Sequence, residues 1–220
     1  MQTMSGAGFA GEMMLLMMRP DNGLTYLFAA LFMWITMMVA MMVPAVIPMA
    51  SIYRGMCKGK AVEMLTLVFA LSYLVAWSLF AIVAAVLQQW LHLNGWLGGM
   101  TLEAGVRLSA ALFVLAGLWQ LTPMKEACLS RCQNPLTFIM NHWREGYSGA
   151  SNLGFRHGLY CVGCCWALMM LMFAGGAMSV WAMAALAALI LVERLLPAKV
   201  VYTRIPGFAM ILLGLWLASG

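Results

Sequence analysis

The chain has 220 residues, of which 65% are hydrophobic and only 9% are charged. Soluble domains carry about 25% charged residues, so the composition excludes an ordinary soluble domain and predicts one integral membrane domain over residues 1–220, surrounded by the lipid bilayer. The formal net charge of +5 does not predict a nucleic-acid partner, because the twelve basic residues are scattered along the sequence rather than gathered in one patch.

Apolar segments predict a polytopic bundle of about six transmembrane helices, since a span needs about 20 mostly apolar residues. In chain order the segments are Leu24–Val43, Leu65–Leu87, Val106–Leu121, Leu159–Gly175, Met178–Leu196 and Ile205–Ala218. The third and the last are the shortest. The predicted fold class is therefore all-α.

The distribution of Lys and Arg predicts the orientation of these spans. The basic residues lie mainly after the first, third and fifth spans: Arg54, Lys58, Lys60, then Lys125, Arg131, Arg144, Arg156, then Arg194, Lys199, Arg204. By the positive-inside rule these loops are cytoplasmic, both termini lie outside, and all six cysteines fall on the cytoplasmic side. Thiols stay reduced in the cytosol, so free thiols are expected there rather than disulfides.

Methionines concentrate at the start of the chain. Residues 1–23 are predicted to form an external, Met-rich interfacial segment, with Met13, Met14, Met17 and Met18 at helical spacing. The first span continues the series with Met33, Met37, Met38, Met41 and Met42. Methionine packs well in any core, so packing is one explanation. The functional alternative is a transport path, because neutral thioethers can replace the water around Cu(I) without burying further charge, a role that suits Zn(II) poorly.

Residues 123–158 are predicted to form a cytoplasmic loop that carries Cys128 and Cys132, spaced for adjacent turns of a helix. Prolines and glycines are expected to divide this loop into two short interfacial helices. The residues predicted to interrupt a helix are Pro123, Pro135, Gly146, Gly149 and Gly154.

The densest group of sulfur ligands opens the fourth span, in the run Cys161-Val162-Gly163-Cys164-Cys165-Trp166. On a helix, Cys161, Cys165, Met169 and Met172 share one face, and His157 extends it by one turn. Thiolates and thioethers together select Cu(I), whereas zinc shares only the preference for thiolates. The predicted metal ligands are therefore Cys161, Cys164, Cys165, Cys128, Cys132, Met169, Met172 and His157, while Cys57, alone in its loop, is expected to be inert.

Two further patterns concern the spans. Trp34 and Trp166 are each followed at the same spacing by a Met-Met pair, and each segment is predicted to be interrupted ten residues after its tryptophan, by Pro44 and Gly176. This pattern suggests a 3+3 inverted repeat with a binding site near the midplane. Glu193-Arg194, at the end of the fifth span, is expected to lie at the membrane interface.

Several of these residues together resemble a bacterial family of predicted metal-binding integral membrane proteins. The residues that carry the resemblance are Trp34, Met37, Met38, Ala40, Met41, Met42, Pro44, Thr122-Pro123-Met124-Lys125, Cys128, Cys132, Gly158, Cys161, Gly163, Cys164, Cys165 and Trp166. Two departures, Gln133 and Ser179, leave the cysteines intact. The resemblance implies a bacterial inner-membrane location and a metal site, whereas copper follows from the ligand types.

Three functions remain open on these residues. The first is a Cu(I) transporter or membrane copper chaperone that supplies a cytosolic or membrane acceptor. The second is an accessory structural subunit of a larger membrane complex, which includes the case of a copper enzyme. The third is a thiol-disulfide enzyme that uses the cysteines of the loop and of the fourth span. Six short spans leave little room for a closed pore, so a homo-oligomer or a larger complex is expected.

Overall fold

The computed structural model describes residues 23–57, 59, 61–98, 103–177, 179–195 and 200–219, and these are almost entirely helical, as predicted. The helices are α1 (Leu24–Met56), α2 (Val62–Leu93), α3 (Val106–Gln120), α4 (Pro123–Gln133), α5 (Pro135–His142), α6 (Gly146–Met170), α7 (Met172–Gly175), α8 (Val180–Leu195) and α9 (Val200–Ser219). A small antiparallel hairpin of β1 (Leu97–Gly98) and β2 (Glu103–Ala104) joins α2 to α3, with Leu97 opposite Ala104.

Three helical segments are long and apolar enough to cross a membrane, namely α1, α2 and Gly146–Gly175, which combines α6 and α7. Helices α3 and α4 meet at a bend of 66° and would count as a fourth span if taken together. Arg204–Ser219 is a shorter apolar helix. Each of the six predicted segments coincides with helix over its described residues, and the number of spans, six, stays a prediction.

The helix interruption expected at Pro44 is absent. Helix α1 continues through Pro44 and Pro48, so the prediction that Pro44 interrupts the first span is wrong. Transmembrane helices tolerate proline, because neighbouring groups can satisfy the backbone carbonyls it frees. Between the two prolines, Arg194 donates to the carbonyl oxygen of Ala45 at 3.3 Å. The counterpart, Gly176, does end α7 with a φ of 85°. The inverted repeat stays a prediction.

Gly149 and Gly154 lie inside α6. The prediction that these two glycines interrupt a helix is therefore wrong. At Gly154 a Cβ atom would stand 2.1 Å from the carbonyl oxygen of Phe69, and at Gly158 it would stand 2.6 Å from the Cβ of Ala76. A Gly-x-x-x-Gly spacing of this kind lets two helix backbones touch. The glycines therefore bring α6 directly against α2, and the packing outweighs their low helix propensity.

The outer surface of the helices is apolar. Phe28 is 65% exposed and Trp216 is 70% exposed, and further large apolar side chains are exposed along α2 and α3. Soluble monomers seldom expose apolar surface on this scale, so these faces need lipid or protein to cover them. The interior is filled instead by aromatic rings, among them Trp34, Phe69, Tyr73 and Trp77.

Candidate metal centre

Three thiols are buried together on α6. Cys161, Cys164 and Cys165 are each at most 2% exposed. The thiols of Cys164 and Cys165 donate to the carbonyl oxygen of Cys161, at 3.1 and 2.9 Å. Because these donors follow the acceptor by three and four residues, the three side chains stay on one side of the helix.

The sulfur of Cys161 has two partners from other helices. The hydroxyl oxygen of Tyr73, on α2, lies 3.0 Å from this sulfur and is hydrogen-bonded to it. The guanidinium of Arg194, on α8, donates to the same sulfur and lies 3.9 Å from the sulfur of Cys164. Arg194 thus lies against the thiols inside the protein, and its predicted depth at the membrane interface stays a prediction.

One sequence pattern indicates that Arg194 could lie near the cysteines, whereas no pattern indicates this for Tyr73. The predicted orientation places the end of the fifth span and the start of the fourth span on the same side of the membrane. A basic residue and a run of cysteines at the same depth can meet if their helices pack against each other. Which helices pack together is a property of the tertiary structure that a single sequence does not reveal.

The cysteines of α4 reach the same place. The thiol of Cys132 interacts with the thiol of Cys164, and the sulfur of Cys128 faces Gly163, where a Cβ would approach it to 3.1 Å. Glycine within the cysteine run thus leaves room for a thiol from another helix. We call Cys128, Cys132, Cys161, Cys164 and Cys165 the thiol cluster. Cys57 lies instead at the end of α1, next to Tyr53, and all six cysteines are free thiols.

A buried ion pair fixes α4 against α8. The ammonium of Lys125 lies 2.7 Å from a carboxylate oxygen of Glu193, with the side chains 1% and 4% exposed. The Gln120 amide donates to the other carboxylate oxygen at 2.6 Å, and the Gln133 amide donates to the backbone carbonyl of Glu193 at 2.6 Å. Glu193 is therefore buried among protein groups, and its predicted depth at the membrane interface stays a prediction. These bonds join α4, which carries Cys128 and Cys132, to α8, which carries Arg194.

His157 is buried one helical turn before Cys161 and is 1% exposed. Its ring lies among those of Phe69, Tyr73 and Phe138, with centroid distances of 6.2, 5.6 and 5.6 Å. Neither ring nitrogen has a hydrogen-bond partner within the described part of the chain. Buried polar atoms are normally paired, so an imidazole left unpaired beside thiols is suited to receive a ligand.

The methionines of α1 are largely buried. Met37, Met38, Met41 and Met42 are buried and Met33 is half-buried, while Met169 and Met172 are fully buried on α6 and α7. Met13, Met14, Met17 and Met18 lie outside the described residues.

Two contacts align α1 with α6 and α7. The ring of Trp34 lies 5.3 Å from that of Phe173, and Arg194 bridges Ala45 to Cys161. The helices therefore run antiparallel. Met42 and Cys164 each lie three residues from the Arg194 bridge on the same side of it, about 4.5 Å along the axis at 1.5 Å per residue. The methionine series thus reaches the level of the thiols.

The centre is held in a closed arrangement. No group of three or more His, Cys, Asp or Glu side chains within the described ranges is positioned to hold a metal ion as it stands. Two thiols point at the carbonyl of Cys161, and the guanidinium of Arg194 lies against its sulfur. Loading would require the thiols to lose their protons and to turn from the carbonyl. The two helices that carry these thiols, α4 and α6, already lie next to each other.

Comparison with known protein families identifies a relative of the chain. A family model described as a copper chaperone, PpoB2, matches residues 31–217. No curated protein and no solved structure matches the chain. The matched range contains the thiol cluster, Arg194, His157 and the methionines of α1.

Proposed function

The chain belongs to the PpoB2 family of copper chaperones, and we propose that it binds Cu(I) at the thiol cluster within a membrane and delivers the ion to an acceptor. One observation carries this proposal: cysteines from two separate helices, α4 and α6, meet around Cys164 in the protein interior. Inert cysteines that only pack have no need to converge in this way.

The ligand types favour Cu(I) as the cargo. Soft thiolate and thioether ligands select Cu(I), and the thioethers of Met169 and Met172 are buried in the same core as Cys161, Cys164 and Cys165. Structural zinc sites are normally closed by four ligands in a tetrahedron. Cu(I) also accepts low coordination numbers, which suits a site whose sulfurs lie in a confined space. His157, with both nitrogens unpaired in the described structure, is a further ligand in this proposal.

The buried methionines of α1 supply a route to the thiols. Met38 and Met42 are 1% and 0% exposed and belong to the same core as Cys164 and Met169. Thioethers bind a soft cation without adding a charge, so an ion can pass along them at lower cost than through an unliganded apolar interior. In the proposed direction, Cu(I) enters near the outer end of α1, reaches the thiol cluster on the cytoplasmic side and leaves to a cytosolic or membrane acceptor. The bacterial inner membrane is the proposed location.

The proposal predicts sulfur-bound copper. Protein purified anaerobically in detergent and supplied with Cu(I) is expected to retain the metal after desalting, because several thiols converge in a buried place. X-ray absorption is expected to show Cu(I) with sulfur neighbours. A Cys57→Ser variant serves as the control and should retain the same copper content, since Cys57 lies at the end of α1. Absence of retained copper, or copper bound by nitrogen and oxygen alone, would refute the proposal.

The methionine route makes a kinetic prediction. In proteoliposomes given Cu(I) from outside, a Met38→Leu, Met42→Leu variant is expected to load the thiol cluster more slowly by about tenfold, equivalent to about 1.4 kcal/mol at the barrier. The final copper content should not change, because leucine keeps the volume and the thiols remain. Met64→Leu is the matched control, as Met64 is 57% exposed on α2. Equal loading rates in all three proteins would remove the methionines from the route.

A further inference from the structure

Arg194 is a cation that contacts sulfur, and within the described residues it forms no ion pair with a carboxylate. Two ion pairs are present within the described residues, Arg54–Glu63 and Lys125–Glu193, so the carboxylate adjacent to Arg194 in sequence is already paired with Lys125. The neighbours of Arg194 that can carry negative charge are the thiols of Cys161, Cys132 and Cys164 and the hydroxyl of Tyr73. A cation in this position interacts electrostatically with any thiolate of the thiol cluster and with any ion bound there.

We propose that Arg194 makes the thiol cluster selective for a monovalent soft ion over a divalent one. This inference rests on the proposed function and adds the residue that sets its specificity. A fixed positive charge repels a bound ion in proportion to the charge of that ion, so a divalent ion is disfavoured twice as strongly as a monovalent one. The argument holds for any fixed number of thiolate ligands.

The charge of the loaded centre agrees with this assignment. With Cys161 and Cys164 as thiolates, their two negative charges are balanced by the guanidinium and one Cu(I), so the buried centre is neutral. A divalent ion on the same two ligands leaves one positive charge without a partner, and an unpaired buried charge is costly. Without Arg194 the balance reverses, and the divalent ion gives the neutral centre.

The guanidinium also has a geometry that keeps it in place. It donates to the sulfur of Cys161 and, at 3.3 Å, to the carbonyl oxygen of Ala45 on α1. Because two of its nitrogens are hydrogen-bonded, the guanidinium stays beside the proposed ligands instead of turning outward. The position on α8 is itself fixed by the adjacent Glu193, which Lys125 and Gln120 hold.

The test is a ratio of affinities. Cu(I) and Cd(II) are titrated separately, each against a competing chelator, into detergent-purified wild type, Arg194→Gln and Arg194→Lys. Cd(II) is the probe because it is divalent and binds thiolates readily. We expect the preference for Cu(I) over Cd(II) to fall by about 10- to 100-fold in Arg194→Gln, since a neighbouring unit charge is removed, and to stay close to wild type in Arg194→Lys.

Two further variants keep the outcome interpretable. Arg194→Met removes the charge with an unbranched side chain and repeats the test if glutamine disturbs folding, and Arg54→Gln removes an exposed cation as the control. A merely structural role would weaken both ions alike and leave the ratio unchanged, which would overturn the inference. If wild type binds no Cu(I), the proposed function fails; if it binds Cu(I) and the ratio ignores Arg194, only this inference fails.

Discussion

Cu(I) affinity is expected to fall on the order of 1,000-fold or more when Cys161 and Cys164 are both replaced by serine, since loss of a partner that merely orients a ligand already costs about 10–100-fold. Serine offers a hard hydroxyl oxygen where Cu(I) requires sulfur. The substitution is small, and a hydroxyl at Cys161 can still accept the hydrogen bond from Arg194, so the fold should be retained. Anaerobic competition with a chromogenic Cu(I) chelator measures the effect.

The control for this experiment lies in the same chain. Cys57→Ser removes a thiol at the end of α1 and should bind Cu(I) as wild type does. Should the Cys161→Ser, Cys164→Ser protein keep both the stoichiometry and the affinity of wild type, the thiol cluster cannot be the copper site, and the methionines would become the principal ligands.

Lys125→Met is expected to destabilise the protein by about 3–5 kcal/mol, because it leaves the buried carboxylate of Glu193 without its cation. The effect should be visible as an earlier transition when the protein in mild micelles is titrated with SDS. Lys125→Met combined with Glu193→Gln removes both charges, and we expect it to recover most of the lost stability, since a buried pair contributes little beyond the mutual compensation of its charges.

The exposed ion pair supplies the comparison. Arg54 and Glu63 are 58% and 73% exposed, so Arg54→Met should change the free energy of unfolding by less than about 1 kcal/mol. Equal transitions for Lys125→Met and wild type would show that Glu193 is not buried as a charge. Loss of stability in the double variant as great as in Lys125→Met would indicate that the amides of Gln120 and Gln133 depend on the charged pair.

The long apolar helices could be predicted from the sequence because each contains an apolar run, and this property is local. The grouping of Cys161, Cys164 and Cys165 could also be predicted, since helical spacing alone puts them on one side. Gly154 was a different case: its low helix propensity is local, whereas the backbone of Phe69 that it admits lies on another helix. A continuous α6 therefore could not be inferred.

The partners of the charged residues could not be predicted for a related reason. Glu193 and Arg194 stand at the end of an apolar run, where an interfacial position is the usual expectation. Their burial depends on partners far away in the chain, Lys125 for the first and Cys161 for the second. Only the packing of α4, α6 and α8 creates those partners. The candidate ligands were thus predictable, but the residues that surround and charge the centre were not.

The closely packed helices α2 and α6 form a rigid side of the candidate metal centre. Because Gly154 and Gly158 let the helix backbones touch, no flexible side chain lies between them to absorb a shift. On the opposite side, α4 and α8 are held by long side chains, Lys125 and Gln133 among them, which can adjust. An expansion of the centre is therefore expected to displace α4 and α8, while α2 and α6 keep their separation.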